Sequence, residues 1–375
     1  MRCIVIGAGI LGASAAYHLA KKGADVIIID RKHRGQATDA SAGMICPWLT
    51  KRRNKAWYRL ATDGARYFPE LIRQLADDGE TVTGYKQTGA IRLEKDTDKL
   101  QEIYSLALKR RENAEEIGEV KLLSEKETLA LFPFLDEGYQ SVWISGAARV
   151  DGRAIRDSLL RAAEKNGATV ISGTARLERS GNNVSVYADD RKIKGDRIIV
   201  AAGAWASGLL SPLGLTCLFT FQKGQIIHLQ MPDENTGGWP VVIPPGNKDI
   251  LPFDAGKIVI GSTHEETEDF DLRITAGGMD DILSKALAVA PGLKEGEIAE
   301  IRVGFRPYTP NSLPVFGFIP GFDGLIAANG LGASGLTTAP FLGRQLAKLA
   351  LDEEPDISVA DYDITGAVRQ AAGQD

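Results

Sequence analysis

The sequence predicts an α/β protein. One domain, built on a buried parallel sheet, is assembled from separated stretches of chain and carries an α+β cap with an antiparallel sheet. Three observations predict this. The chain opens as strand, glycine-rich turn, helix, strand, with the first strand wholly apolar. Apolar strands running into glycine-rich turns return at 196–203 and 323–336. Between them, from Phe221 to Ile260, short strands alternate with Pro and Gly turns, as antiparallel sheets do.

Cys3-Ile4-Val5-Ile6 is an uninterrupted apolar run, expected of a strand covered on both faces. A helix follows from about Leu11 to Lys22, ended by Gly23. Val26–Ile29 is the second strand and runs out at Asp30. The stretch from about Lys55 to Leu135 reads as mostly helical: Trp57, Leu60, Ala61 and Ala65 recur at helical spacing, and Pro133 closes the pattern. Ser124-Glu125-Lys126-Glu127 has the form of a capping box. Asp151 opens a helix to about Asn166, Thr169–Ile171 returns as a strand, and a turn at Gly181-Asn182-Asn183 joins two short strands. Arg197–Val200 is again a buried strand. Gln225–Gln230 and Lys257–Ile260 read as antiparallel strands, Gly278–Val289 as a helix and Ile298–Gly304 as a strand. A strand over Gly324–Ala328, a loop over Gly330–Gly335 and a helix over Leu336–Leu351 complete the pattern.

Composition narrows the function. The 375 residues are 44% hydrophobic and 25% charged, with a net charge of -5, so no basic excess points to nucleic acid. Lys51-Arg52-Arg53 and Lys109-Arg110-Arg111 read as solvated helix faces. Three cysteines and four histidines fit no metal-ligand spacing, and the cysteine usage suits a reducing compartment. The N-terminus reads straight into a strand without signal-peptide regions, and no apolar run approaches the roughly 20 residues of a spanning helix, so a cytoplasmic protein is expected.

Gly7-Ala8-Gly9-Ile10-Leu11-Gly12 is G-x-G-x-x-G between strand and helix. Gly7 permits the turn, Gly9 admits a pyrophosphate to the backbone, and Gly12 lets helix and strand pack. The helix N-terminus then offers N–H groups to phosphate, and Asp30 can bind both ribose hydroxyls of an adenosine. The motif alone does not separate FAD from NAD. Three features favour FAD: the chain holds one such motif, Asp196–Gly203 is a strand-to-glycine segment suited to packing near the dinucleotide, and Gly330-Leu331-Gly332-Ala333-Ser334-Gly335 offers a second glycine-rich N–H cluster.

With these motifs the chain resembles the D-amino-acid oxidase family of FAD-dependent oxidoreductases, closest to bacterial glycine oxidase and D-amino-acid dehydrogenase. The likeness spans nearly the whole sequence and rests on Gly7–Gly12, Thr38-Asp39-Ala40-Ser41-Ala42-Gly43-Met44, Val200-Ala201-Ala202-Gly203-Ala204-Trp205, Gly304-Phe305-Arg306-Pro307 and the C-terminal glycine loop. The resemblance implies a Rossmann-like FAD-binding domain of the glutathione-reductase type, built from 1–47, 148–214 and 306–375, with an antiparallel-sheet substrate domain from 48–147 and 215–305. It implies that Ser41, Ala42, Gly43, Met44 and Ile45 run past the flavin, and that the backbone around Arg176 holds the adenine end. Arg31, Thr38, Ala202, Gly203, Trp205 and Leu336 complete the expected FAD contacts. Arg306 matches the arginine that grips a substrate carboxylate, for which a guanidinium fork is well suited. His264, Tyr308 and Trp48 are candidate pocket residues, each with a structural role as the alternative. Tyr308-Thr309-Pro310-Asn311 contains no cysteine, so non-covalent FAD is expected.

The implied activity is oxidation of the C–N bond of a small amino acid of glycine, sarcosine or D-amino-acid type, by hydride transfer to flavin N5 and hydrolysis of the imine. No catalytic base is needed if the amine reacts neutral. The acceptor, oxygen or another carrier, stays open, as does homo-oligomerisation. Two alternatives stand beside this one: an NAD-dependent dehydrogenase and a non-catalytic flavin-binding partner subunit.

Overall fold

The computed structural model describes residues 1–371 except 233, 234 and 247. The last four positions of the expected segment 306–375, and three within 215–305, therefore lie outside the described residues.

The strand Arg2–Ile6 is central in a six-stranded sheet. Asp25–Asp30 and then Thr169–Ser172 lie on one side of it, and Arg197–Val200, Leu325–Asn329 and Val315–Phe318 on the other. All pairs are parallel except the last, which is antiparallel. Cys3, Ile4 and Val5 are fully buried because helices cover one face and a three-stranded meander, 175–193, lies toward the other. The helices are Ile10–Lys21, Gly152–Lys165 and Gly335–Ala350. Asp151 caps the second by accepting from the N–H of Arg153 and Ala154 at 3.0 and 3.1 Å. Chain from three distant regions thus builds one layered α/β unit around one core.

Over the mouth of this unit lies a second sheet, of nine strands among the described residues. Thr220–Gln230 pairs with both Glu297–Tyr308 and Lys257–Gly261, and the order continues through Asp249–Pro252 and Val241–Ile243 to Ala90–Glu94, Gln140–Ile144 and Val120–Leu123. One pairing, Val241–Ile243 with Ala90–Glu94, is parallel, and the others are antiparallel.

This sheet corrects the mostly helical reading of 55–135. Helices do cover Lys55–Asp77, Thr97–Arg111 and Glu125–Leu131, the last with the expected Ser124/Glu127 capping box. Ala90–Glu94 and Val120–Leu123 are strands. Each is too short to impose its own period on the tract, and partners distant in the chain, Gln140–Ile144 on one side and Val241–Ile243 on the other, decide the conformation of Ala90–Glu94. Lys51-Arg52-Arg53 is likewise irregular chain ahead of the helix at Lys55, not a helix face. Among the described residues no helix is long and apolar enough to cross a membrane.

Candidate active site

A cavity of about 440 Å³ opens where the parallel strands end, between the two sheets. Its walls bring together five stretches separated in the chain: Gly7–Leu11, Asp30–Thr38, Gly173–Leu177, Ala201–Trp205 and Leu331–Gly335. Ligands of open parallel sheets bind at such a position.

Each glycine of the first turn has a separate physical reason. Gly7 has φ +101°, and a Cβ there would lie 2.5 Å from the Ala201 carbonyl oxygen. A Cβ on Gly12 would lie 1.8 Å from the Gly7 carbonyl oxygen. Gly9 differs: a Cβ there would meet only Thr38 Oγ1, at 3.4 Å. The protein's own packing therefore does not demand glycine at that position, and its bareness keeps the cavity wall clear. Gly9 caps the helix without a side chain, and no acidic residue sits in the first turn, so no carboxylate competes with an anion for the N-terminal N–H groups. Asp30 accepts from the Ala8 N–H at 2.7 Å and from Gln36 Nε2 at 3.2 Å, which fixes its carboxylate at the cavity wall. Thr38 Oγ1 accepts from the Ile10 N–H at 3.0 Å and ties the next loop to the same turn.

Arg31 lies exposed with its guanidinium 5.6 Å from the Trp205 ring. Arg176 lines the wall, and its side chain stacks on Tyr187 at 4.3 Å and pairs with Glu178. Ala202, Gly203 and Trp205 line the cavity, as do Leu331, Gly332 and Gly335. The remaining residues of the C-terminal loop have other contacts. Gly330, at φ +79°, packs against Thr309. Ser334 Oγ accepts from Trp57 Nε1 at 2.9 Å. Leu336 is buried, and Ala333 is exposed.

Ser41 to Ile45 do not line this cavity. Ser41 Oγ donates to the Thr38 carbonyl at 2.7 Å, and the partly buried Ala42 packs against the core. Gly43 is bare because a Cβ would lie 2.1 Å from the Val150 carbonyl oxygen. Met44–Ile45 pairs with Ala148–Arg149. Gly43 here serves close approach to Val150. Trp48 is 1% exposed in the core, and its indole N–H has no partner. Cys46 is buried, which pushes its thiol pKa up to about 12 and leaves it inert.

Arg306 lies near the end of Glu297–Tyr308, paired with Gln222 across the sheet. It is 9% exposed. Its Nη2 donates to Ser262 Oγ at 2.5 Å and to the Thr263 carbonyl at 2.7 Å. Its Nη1 is buried with no partner, and among the described residues no carboxylate lies within ion-pair distance. Burial pushes its pKa down, against the pull of Tyr308 and Glu265, but a guanidinium stays charged. A buried cation with a free donor is costly unless an anion completes it. Gly224 makes room: a Cβ there would lie 2.1 Å from Arg306 Nη2. Tyr308 sits beside Arg306, with its ring against Gly332 of the cavity wall. His264, exposed, is held neutral: desolvation first, then the Arg306 and Lys248 charges, bring its pKa to about 4.

Several wall residues gave no signal in the sequence. Gln36, Ala37 and Asn329 line the cavity, and Asn329 joins its two glycine turns by donating to the Gly203 carbonyl at 3.0 Å and accepting from the Gly330 N–H at 2.7 Å. Asp249 is the other omission. It projects from the sheet next to Gly261, with neither hydrogen bond nor ion pair among the described residues, and burial raises its pKa to about 6 against Arg92 and Lys248.

The family model for FAD-dependent oxidoreductases of the DAO type matches residues 2–349. The chain belongs to that family. FAD is therefore its cofactor, which sets aside the nicotinamide alternative. The residues present fit the group: a bare Gly9 before a helix with no acid in its first turn, Asp30 fixed at the wall, and glycine turns on both sides of one cavity. Among DAO-family relatives, the chain is 57% identical over 367 residues to an uncharacterised oxidoreductase, YurR, of Bacillus subtilis, covering 97% of this chain and 99% of that one. It is 32% identical to the glycine oxidase of Pseudomonas aeruginosa, covering 96% and 98%. The crystal structure of iminodiacetate oxidase from Chelativorans sp. BNC1 superimposes with a TM-score of 0.94 at 44% identity, covering 96% and 98%.

Proposed function

We propose that this flavoenzyme oxidises the C–N bond of a small amine that bears a carboxylate on the carbon losing hydride. One observation carries the reading: among the described residues Arg306, buried beside the flavin cavity, has an unbonded Nη1 and no acidic partner. A substrate carboxylate would complete it, and the bond would hold the adjacent carbon in one orientation. FAD, held without a covalent link by Gly7–Gly12, Asp30 and the glycine-rich loops, supplies the two-electron acceptor.

The chain's residues position and desolvate. Ser262 and Thr263 hold the guanidinium, Tyr308 sits beside Arg306 with its ring against Gly332, and the nine-stranded sheet carries both residues on one strand. His264, neutral above about pH 4, adds no charge that would repel an ammonium substrate. The amine must shed a proton before its lone pair can assist loss of hydride. The substrate carbon then gives up two electrons and a proton, and water adds to the resulting imine. This yields an oxo acid and ammonia or an amine. The glycine oxidase and iminodiacetate oxidase relatives support a substrate of the N–CH2–carboxylate type, glycine or an N-substituted glycine.

The test is anaerobic mixing of the holoenzyme with glycine, sarcosine, iminodiacetate and D-alanine while flavin absorbance is followed. Bleaching by an N–CH2–carboxylate is expected, and admission of air then separates an oxidase from a dehydrogenase. A flavin that none of them reduces would refute the reading and favour a non-catalytic partner.

A further inference from the structure

A second cavity, of about 610 Å³, lies outside the flavin site and is lined by Lys51, Arg52, Arg53, Lys55, Arg59 and Arg110, with Glu102 as its one carboxylate. Lys51 reaches Glu102 at 3.7 Å. The other five cations have no carboxylate within 4.0 Å among the described residues. The whole chain is acidic, at net charge -5, so this concentration of unpaired positive charge is local.

The cavity adjoins the proposed substrate site through Arg52. Its Nη2 donates to the Ser312 carbonyl, in the turn that follows the strand of Arg306 and Tyr308. Its guanidinium lies 4.3 Å from the centre of the Trp57 ring, and the Trp57 indole donates to Ser334 of the glycine loop. The Tyr308 ring rests on Gly332 of the same loop. Arg52 and Arg306 therefore both lie near Tyr308, and neither has an acid within ion-pair distance among the described residues. Arg110 fixes the connecting chain by donating to the Trp48 and Thr50 carbonyls, each at 2.6 Å. Placement at the mouth of a deep site lets cations concentrate anions and hand them inward.

We propose that this basic cavity is the entrance to the active site and selects amines that carry a second carboxylate, with Arg52 taking that carboxylate while Arg306 takes the first. The inference rests on the amine-carboxylate reading above. It narrows the substrate class from zwitterionic amino acids to amino dicarboxylates with net negative charge. A zwitterion has no net charge for the entrance to attract, whereas a dicarboxylate amine gains both attraction and a second anchor.

The experiment compares iminodiacetate with sarcosine on the holoenzyme, by kcat/KM for flavin reduction, in wild type, R52Q, R52K and R53Q. Salt is varied from about 20 to about 500 mM, across which screening of exposed charges becomes nearly complete. The wild-type ratio of iminodiacetate to sarcosine is expected to fall with salt. R52Q should lower it about tenfold at low salt, R53Q should flatten its salt dependence, and R52K should restore part of it. A ratio that ignores both salt and R52Q overturns the proposal. Calorimetric binding of iminodiacetate against acetate separates the two readings. If no amine reduces the flavin yet the dicarboxylate preference is present and lost in R52Q, the entrance stands and the proposed reaction falls. Equal binding of the two anions removes the entrance.

Discussion

The sharpest test of the carboxylate site does not touch Arg306. A Cβ at Gly224 would lie 2.1 Å from Arg306 Nη2, where ordinary contact begins at 3.4 Å. In Gly224→Ala the guanidinium must retreat by more than an ångström. That retreat breaks the bonds to Ser262 Oγ and the Thr263 carbonyl and moves Nη1 away from any ligand. Hydrogen bonds to a charged group contribute about 1.5–3 kcal/mol each, so carboxylate affinity should fall about ten- to a hundredfold. Gly224 does not line the flavin cavity and its φ is ordinary, so flavin content and fold should survive. Titrating the holoenzyme with acetate and with the reducing amine, read in the flavin spectrum, gives both affinities. Gly238→Ala is the control, since a Cβ there meets nothing. If Gly224→Ala binds carboxylates as tightly as wild type, the guanidinium is not the anion's partner and the proposed orientation of substrate is wrong.

Four further outcomes follow from the geometry. Gly9→Ala should fold and melt like wild type as apoprotein but bind FAD far more weakly, whereas Gly12→Ala, with a Cβ 1.8 Å from the Gly7 oxygen, should lose fold and flavin together; apoprotein melting and FAD titration distinguish them. Asp249 has a folded pKa raised to about 6, so the native state keeps its proton to higher pH than the unfolded chain, and stability is lost as pH rises through that window. Asp249→Asn should therefore stabilise by an order of 1–3 kcal/mol above pH 6, with the gain shrinking toward pH 4, as denaturant melts at the two ends would show. His264, at about 4, should leave no inflection near pH 6.5 in kcat/KM; an inflection there that disappears in His264→Gln would show that its pKa is not depressed. Cys3 and Cys46, pushed up to about 11 and about 12, should react with thiol reagents only on unfolding, and rapid labelling of the native holoenzyme would contradict their burial.

The local code at the N-terminus carried much of the fold. An apolar strand, three glycines at fixed spacing, a helix and an acid lie within one continuous stretch, and the structure keeps them in that order because strand, turn and helix follow directly from neighbouring residues. The strand and turn at 197–203 and the glycine loop at 330–335 were legible for the same reason. The strands within 55–135 were not, because their conformation is fixed by pairing across the cap and not by their own period.

Arg306 stood out in the sequence through its motif, but what it needs did not. Its unpaired Nη1, the space left by Gly224 and the grip of Ser262 and Thr263 come from three strands brought together by sheet register. The same holds for Asp249, an unremarkable residue in the sequence that becomes a half-buried carboxylate only when the sheet closes over it. Sequence alone determined the dinucleotide turn and the family, because those depend on residue types at fixed short spacing. Tertiary structure alone decided which charges are left without partners, because pairing and burial depend on distances between residues that the chain keeps far apart.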